Sequence, residues 1–570
     1  MKRIKVISII TVALLVHITA SSTTPPVMMH NDSIRKEAYK YADQVIEKLT
    51  QREMLAQLIM PMISPKTDSI HVAQLDQIIN TGFGGILWQK GDPQSQLVLT
   101  NRMRERAKVG MLVAMDGEWG LAMRLSNTIF WPRNMQVAAT ADLLTAFEYG
   151  RATAKEAKRM GIHINFAPVA DVNNNPKNPV IGTRSFGSDP HQVAKMVIAY
   201  AQGLESNGVL SVAKHFPGHG DTEVDSHLAL PELSQSQERL EEIELVPFRA
   251  YIDSGLGGIM VGHLTVPALD STKKAASISP TITTEYLQKE LGFGGLICTD
   301  GLNMRGVLKS AEGKSVVVEA FKAGNDILLA PWQIYESLNE LTKALESGEI
   351  ELSEVTRRCR KVLAWKYILG ATDNTPIPLD GLIEEINSTE SKALLAKIQE
   401  QSLTLLKNNR QVLPLHPVGR QAILRYGKDN SSHLISQLQR GRGTRTDVYS
   451  VSNDTLPLSE QMLEKLKTYD RVLVLLTSEE IQPTPLDLSG LEAQEVIIVC
   501  MTSPYTLLHF SEALKRADVI AIGYSGHAGS ERAMGRALLG KLPFRGQLPV
   551  DLFPLFRSGD GITLPSATQP

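Results

Sequence analysis

Val209-Leu210-Ser211-Val212-Ala213 runs directly into Lys214-His215-Phe216-Pro217-Gly218-His219-Gly220-Asp221-Thr222-Glu223-Val224-Asp225-Ser226-His227-Leu228-Ala229-Leu230-Pro231. The first five residues are short, apolar and valine-rich, the signature of a buried strand. Pro217, Gly218 and Gly220 exclude a helix immediately afterwards. Three histidines and several carboxylates therefore sit on a loop that leaves the carboxyl end of a strand.

The same arrangement recurs outward from this stretch. Apolar segments at 58–62, 85–88, 111–115, 164–168, 209–213, 258–261, 295–298 and 326–330 alternate with helix-length stretches, as in a (β/α)8 barrel or a long doubly wound sheet. Asp116, Asp171, Lys214 with His215, His263 and Asp300 follow the third to seventh strands. A barrel gathers all its strand ends at one mouth, whereas an open sheet scatters them along an edge. The expected fold is therefore α/β, a TIM-type barrel over residues 31–371. Within it, Thr50-Gln51-Arg52-Glu53 is a capping box opening a helix.

Residues 372–398, with Pro376, Pro378 and Gly381, read as a linker. Apolar runs at 404–406, 421–425, 471–476, 496–500 and 519–522 then predict a smaller three-layer α/β sandwich domain over 399–560. Its Gly523–Gly529 stretch lacks the Gly-Lys-Ser/Thr ending of a phosphate-cradling loop.

Lys2, Arg3 and Lys5 precede an apolar run from Val6 to Ala20. This is the pattern of a secretory signal peptide over residues 1–22, too short for a membrane span. It predicts an exported bacterial protein, periplasmic or extracellular, with no stable membrane insertion once the leader is cleaved. The 59 basic and 61 acidic residues nearly cancel, which leaves no basic field for nucleic acid. Cys298, Cys359 and Cys500 are odd in number and widely separated, and read as core thiols.

The residues themselves leave several chemistries open. Pro217 and Gly218 break the helix that a His215/His219 metalloprotease pair needs, but a loop-built zinc site from His215, His219, Asp221 and His227 stays in play. Asp225 lies two residues before His227, close enough to orient an imidazole for proton transfer or merely to pair with it in a loop. Asp300 is placed at a strand end either as a nucleophile or as an N-cap for the next helix. Asp116, Glu118, Arg124 and Arg184 suit a clamp on sugar hydroxyls, with Trp119, Trp131 and Phe186 as an apolar wall or as core.

The loop Lys214–Pro231, together with Phe166–Gly187 (FAPVADVNNNPKNPVIGTRSFG) and Thr299–Met304 (TDGLNM), resembles glycoside hydrolase family 3, and within it the bacterial β-N-acetylglucosaminidase branch. The resemblance spans the barrel and reaches Gly546–Val550 (GQLPV) in the second domain. It implies a retaining mechanism, with Asp300 as the nucleophile that forms a covalent glycosyl-enzyme. It makes His227, paired with Asp225, the acid/base, and places Asp116, Arg124, Arg184, Lys214 and His215 on the sugar.

Three departures stand out. The common Asp-Gln-Glu-Gly-Gly is here Asp116-Gly117-Glu118-Trp119-Gly120, the frequent second aspartate after the nucleophile is Gly301, and a leader and a second domain are present. The expectation is an exo-acting β-N-acetylglucosaminidase on peptidoglycan-derived or other glycans ending in N-acetylglucosamine, with no metal and no cofactor. The alternatives are a phosphorylase, a plain β-glucosidase or a non-catalytic glycan-binding protein.

Overall fold

The computed structural model describes residues 26–224, 229–427, 432–440, 443–452, 458–478 and 486–567. The leader at 1–22 and the pair Asp225 and His227 lie outside them. The first unit is a closed ring of eight parallel strands. Strand β1 comes in two pieces, Ile59–Met60 and Met62–Ile63, followed by β2 (Gly85–Trp88), β3 (Leu112–Met115), β4 (Ile164–Asn165), β5 (Leu210–Phe216), β6 (Gly258–Val261), β7 (Leu296–Thr299) and β8 (Leu328–Leu329). The second piece of β1 pairs with β2, and the sheet then runs in sequence order to β7. Ile59 and Met60 pair with Leu328 and Leu329, and Cys298 bridges Ile327, which closes the ring. Apart from Met62, every residue of these strands is buried, as expected for parallel strands covered on both faces.

Two strands differ from the sequence reading, and both differences bear on the site. Strand β4 ends at Asn165, where the Ala167 N–H turns back to Asn165 O (2.7 Å). Strand β5 continues through Lys214 and His215 to Phe216. Lys214 N donates to Pro168 O (3.1 Å) and Lys214 O accepts from Ala170 N (2.7 Å), so the strand is paired where a loop was expected. Its register against β6 shifts between Ala213 and Phe216. Irregularities of this kind at a barrel rim re-aim side chains.

The helices obey their local signals. Thr50 and Glu53 form the reciprocal capping box, and Asp68, Asp92, Asp142 and Asp189 each cap a helix through the side chain. The 372–398 segment is more structured than its composition suggested. Asn101 holds Ile377 through both amide atoms (2.8 Å each), Leu382–Ile386 is helical, and a further helix runs over Thr389–Gln401. The second unit is a six-stranded sheet in the order Thr404–Asn408, Val519–Ile522, Glu495–Cys500, Arg471–Leu476, Arg420–Tyr426 and Arg445–Val451. The first pair is antiparallel and the rest are parallel. The edge strand Arg445–Val451 escaped the sequence reading because Val451 is its one buried residue. All three cysteines are buried thiols, and none is in a disulfide. Among the described residues no helix is long and apolar enough to cross a membrane.

The barrel helices Leu143–Arg159 and Pro190–Glu205 touch backbone to backbone at two glycines. A Cβ on Gly150 would lie 2.1 Å from Tyr200 O, and one on Gly203 would lie 2.2 Å from Phe147 O. In an exposed helix, glycine to alanine is worth about 1 kcal/mol of added stability. Here the sign is expected to reverse, with Gly150→Ala and Gly203→Ala each lowering the calorimetric melting temperature.

Candidate active site

The mouth of the barrel holds a desolvated ionic cluster centred on Lys214, whose side chain is 3 % exposed. Its ammonium lies 3.1 Å from Asp116 Oδ1 and 2.8 Å from Glu118 Oε1. Arg124 donates to Asp116 Oδ2 (2.7 Å). Arg184 grips Glu118 with two nitrogens, Nε to Oε2 (2.8 Å) and Nη2 to Oε1 (2.7 Å), and its Nη1 donates to Val180 O (3.0 Å). Burial pushes both carboxyls upward, but Lys214 and Arg124 hold Asp116 below its ordinary range, and Arg184 and Lys214 hold Glu118 well below it. Burial lowers the Lys214 and Arg184 pKa values, and their carboxylate partners more than restore them. The four groups exist as ions together.

Beside this cluster lies a second one. Asp171 is fully buried beyond the end of β4, and its Oδ1 accepts from the backbone N–H of His215 (3.1 Å) and of His219 (2.8 Å). Its Oδ2 meets His215 Nδ1 at 2.7 Å. That contact fixes the ring so that its other nitrogen is the one free to face a ligand. Despite burial, the His215 imidazole and these N–H groups keep the Asp171 carboxyl below its usual value. Asn178 ties the root of the long loop to the segment after β4, donating to His219 O (2.8 Å) and Gly220 O (3.0 Å).

Asp300 follows β7 and remains partly open to the mouth. Its backbone N–H donates to Val261 O (2.9 Å) and its Oδ1 accepts from Gly301 N (2.7 Å). Burial alone would raise its pKa, but His263, His215, the Gly301 N–H and Lys214 bring it down to about 2. His263 is itself fixed, Nδ1 against Ser277 Oγ (2.7 Å) and Nε2 donating to Gly301 O (2.9 Å). The next helix starts at Arg305 with Met304 as its cap residue, so Asp300 is not a helix cap. It is a carboxylate held ionised at a barrel mouth, able to attack an electrophilic carbon or to stabilise a developing cation.

The structure thus brings together Asp116, Arg124, Arg184, Lys214, His215 and Asp300. Glu118 does not reach out to a ligand, being the buried counter-ion of Arg184 and Lys214. Trp131 and Phe186 are core residues, not a pocket wall, and Trp131 Nε1 donates to buried Glu156 (3.1 Å). Trp119 is partly exposed, with the Arg133 guanidinium 4.5 Å above its ring. Sequence reasoning placed Asp171 and His263 at strand ends without giving them work. It passed over Asn173 and Asn178, although asparagines beside Pro176 and Pro179 are a turn signal. On the zinc alternative, His215 and His219 direct Nδ1 to Asp171 and to Thr222 Oγ1 (2.8 Å). Among the described residues there is no group of three or more histidine, cysteine or acidic side chains placed to hold a metal ion.

Residues 50–365 match the family model described as "Glycosyl hydrolase family 3 N terminal domain". The chain belongs to glycosyl hydrolase family 3. It is 26 % identical over 513 residues to "Beta-hexosaminidase A" of Pseudoalteromonas piscicida, covering 79 % of this chain and 86 % of that protein. Among solved structures it is similar to a family 3 β-N-acetylglucosaminidase from Paenibacillus sp. str. FPU-7, with a TM-score of 0.74 and 27 % identity over 88 % of this chain and 99 % of the other. It also shares its fold with the β-glucoside phosphorylase BglX, at a TM-score of 0.79 and 24 % identity, covering 91 % and 97 % of the two chains. As a family 3 member the protein is a glycoside hydrolase, and its two units are that family's barrel and α/β sandwich.

Removing Lys214 would leave Asp116 with Arg124 and Glu118 with Arg184 as their remaining cations, so the cost is expected at about 3 kcal/mol, the low end for losing one partner of a buried pair. Lys214→Met is expected to lose that much stability near pH 7 in denaturant titrations. Without this cation the carboxyl pKa values rise from their depressed native positions. The penalty then grows as pH rises through those values and fades on acidification, so the deficit against wild type is expected to narrow toward about pH 4.

Proposed function

We propose that the protein is a retaining exo-β-N-acetylglucosaminidase that removes terminal N-acetylglucosamine from peptidoglycan-derived or other glycans. The observation that carries this reading is Asp300, an ionised carboxylate at the end of β7 facing the Asp116/Lys214/Arg184 cluster. In the first step Asp300 attacks the anomeric carbon and the bond to the leaving oxygen breaks, with His227 giving that oxygen a proton. In the second step His227 takes a proton from water, the water oxygen attacks the anomeric carbon, and the bond to Asp300 breaks. Asp225 orients the imidazole. Asp116, Arg124, Arg184, Lys214 and His215 hold the sugar, with Asp116 on the hydroxyls farthest from the cleaved bond.

Asp300 can act without being deprotonated first, because it is already an anion at any working pH. A full negative charge is also what an oxocarbenium-like transition state needs nearby. The leader at residues 1–22 supports export from a bacterial cell, which fractionation with and without that segment tests. Phosphorolysis is a second reading, favoured by the histidine in the acid/base position. Once deprotonated it is neutral where a glutamate would be anionic, and repels an incoming phosphate less. Added phosphate yielding sugar 1-phosphate in place of free sugar would establish it.

An aryl N-acetyl-β-glucosaminide is expected to be cleaved by the wild type and lost by roughly a thousandfold or more in Asp300→Ala. His227→Ala is expected to slow natural chitooligosaccharides by about 10²–10⁴-fold, and activated aryl glycosides much less, because a good leaving group needs little protonation. Peptide mapping of a trapped glycosyl-enzyme should place the sugar on Asp300. Binding of chitooligosaccharides without any turnover would replace this reading with that of a glycan-binding protein. A chelator is expected to leave the rate unchanged.

A further inference from the structure

We propose that Tyr505, on the second domain, is a positioning residue for the barrel's active site, holding through Asn173 the loop that carries Arg184. Tyr505 lies in the segment after the strand Glu495–Cys500. Its hydroxyl donates to Asn173 O (3.0 Å) and accepts from Asn173 Nδ2 (2.8 Å). Burial keeps this phenol protonated far above its ordinary pKa, so the donated bond persists at any working pH. Asn173 is buried, and its Oδ1 accepts from Gly182 N (2.9 Å), the first residue of the turn Gly182–Arg184. Arg184 then forms the two-nitrogen grip on Glu118, which shares Lys214 with Asp116. One tyrosine of the second domain is thus three contacts from the ionic cluster at the barrel mouth.

The same loop reaches the proton-transfer side. Through Asn178 it holds the carbonyls of His219 and Gly220, at the root of the loop bearing Asp225 and His227. The loop's far end is fastened to the second domain too. Ser188 N donates to Pro549 O (3.1 Å), and Asp551 N donates to Ser188 Oγ (3.0 Å). Between these fastenings, Val180–Arg184 is separated from Thr506 and His509 by a cavity of about 270 Å³. On the side facing the second domain the Tyr505–Asn173 bonds therefore act beside open space, while on the barrel side Asn134 Nδ2 donates to Arg184 O (2.7 Å). Without them the turn at Gly182 has room on that side, and the Arg184 side chain is placed less firmly.

The catalytic side of this inference rests on the hydrolase reading, and the experiment separates the two. Tyr505→Phe keeps the ring and removes both bonds. Amide exchange in residues 179–187 of the full chain is expected to accelerate about tenfold or more, with exchange in the strands of the second sheet unchanged. On an aryl N-acetyl-β-glucosaminide, KM is expected to rise about tenfold with kcat within about twofold, because the loop shapes sugar binding and not the bond-breaking step. The Kd for free N-acetylglucosamine by calorimetry should rise in parallel. Asn173→Ala should reproduce these changes, and the double variant should add nothing further. Unchanged exchange at 179–187 overturns the tether whatever the kinetics do. Faster exchange with KM, kcat and Kd all unchanged overturns the positioning role. A wild type inactive on every glycoside overturns the hydrolase reading, while exchange and Kd still decide the tether.

Discussion

The site depends on one buried ammonium. Lys214 sits at the end of a barrel strand between two carboxylates, Glu118 buried and Asp116 partly open to the mouth, and its charge supports both of theirs. A lone carboxylate there would take up a proton, and a lone ammonium would lose one. Arg124 and Arg184 extend the set, so that two acids and three bases share a volume in which none would be stable as an isolated ion. Each carboxylate has two cations, Lys214 with Arg124 on Asp116 and Lys214 with Arg184 on Glu118, and Lys214 is the member that the two pairs share.

This arrangement explains why the fifth strand runs longer than its apolar residues. Lys214 and His215 are polar, yet they are held in the β-ladder by backbone bonds to Pro168 and Ala170 and by Asp171. A strand is stiffer than a loop, and a binding group on a strand is placed with less freedom. The long loop after it is anchored at its root by Asn178 and Asp171. The proposed proton-transfer pair, Asp225 and His227, follows in sequence a segment that is fixed where it meets the barrel. Of the residues that would hold sugar, Lys214 and His215 lie on the strand itself, and Asp116 directly follows another.

Much of this was legible in the sequence, and the illegible part has physical causes. Each barrel strand announced itself as a short apolar run, because parallel strands are buried on both faces. The polar residue just past each run marked the mouth. The edge strand Arg445–Val451 carried no such signal, since it is largely exposed and its residues look like loop. Trp131 and Phe186 could not be told from pocket residues, because an aromatic in the core and one on a wall look alike in sequence. Glu118 was grouped with the sugar clamp for a similar reason, as sequence shows a charge but not its partner. The pairing of Tyr505 with Asn173 lies across 332 residues and between two domains, and local pattern holds nothing of it.

The departure at Gly301 gains a meaning from the geometry. A second aspartate there would place another carboxylate beside Asp300 and oppose its ionisation through like-charge repulsion. With glycine, the position contributes only backbone. Its N–H donates to Asp300 Oδ1 and its carbonyl accepts from His263. The same residue therefore stabilises the anion directly and fixes the imidazole that stabilises it through space. A Cβ at this position would meet Asn303 Oδ1 at 3.0 Å, a tight contact that a larger side chain would have to displace. The low pKa of Asp300 thus reflects both the cations around it and the absence of a neighbouring acid, and Lys214, at the centre of the ionic cluster, adds to the same field.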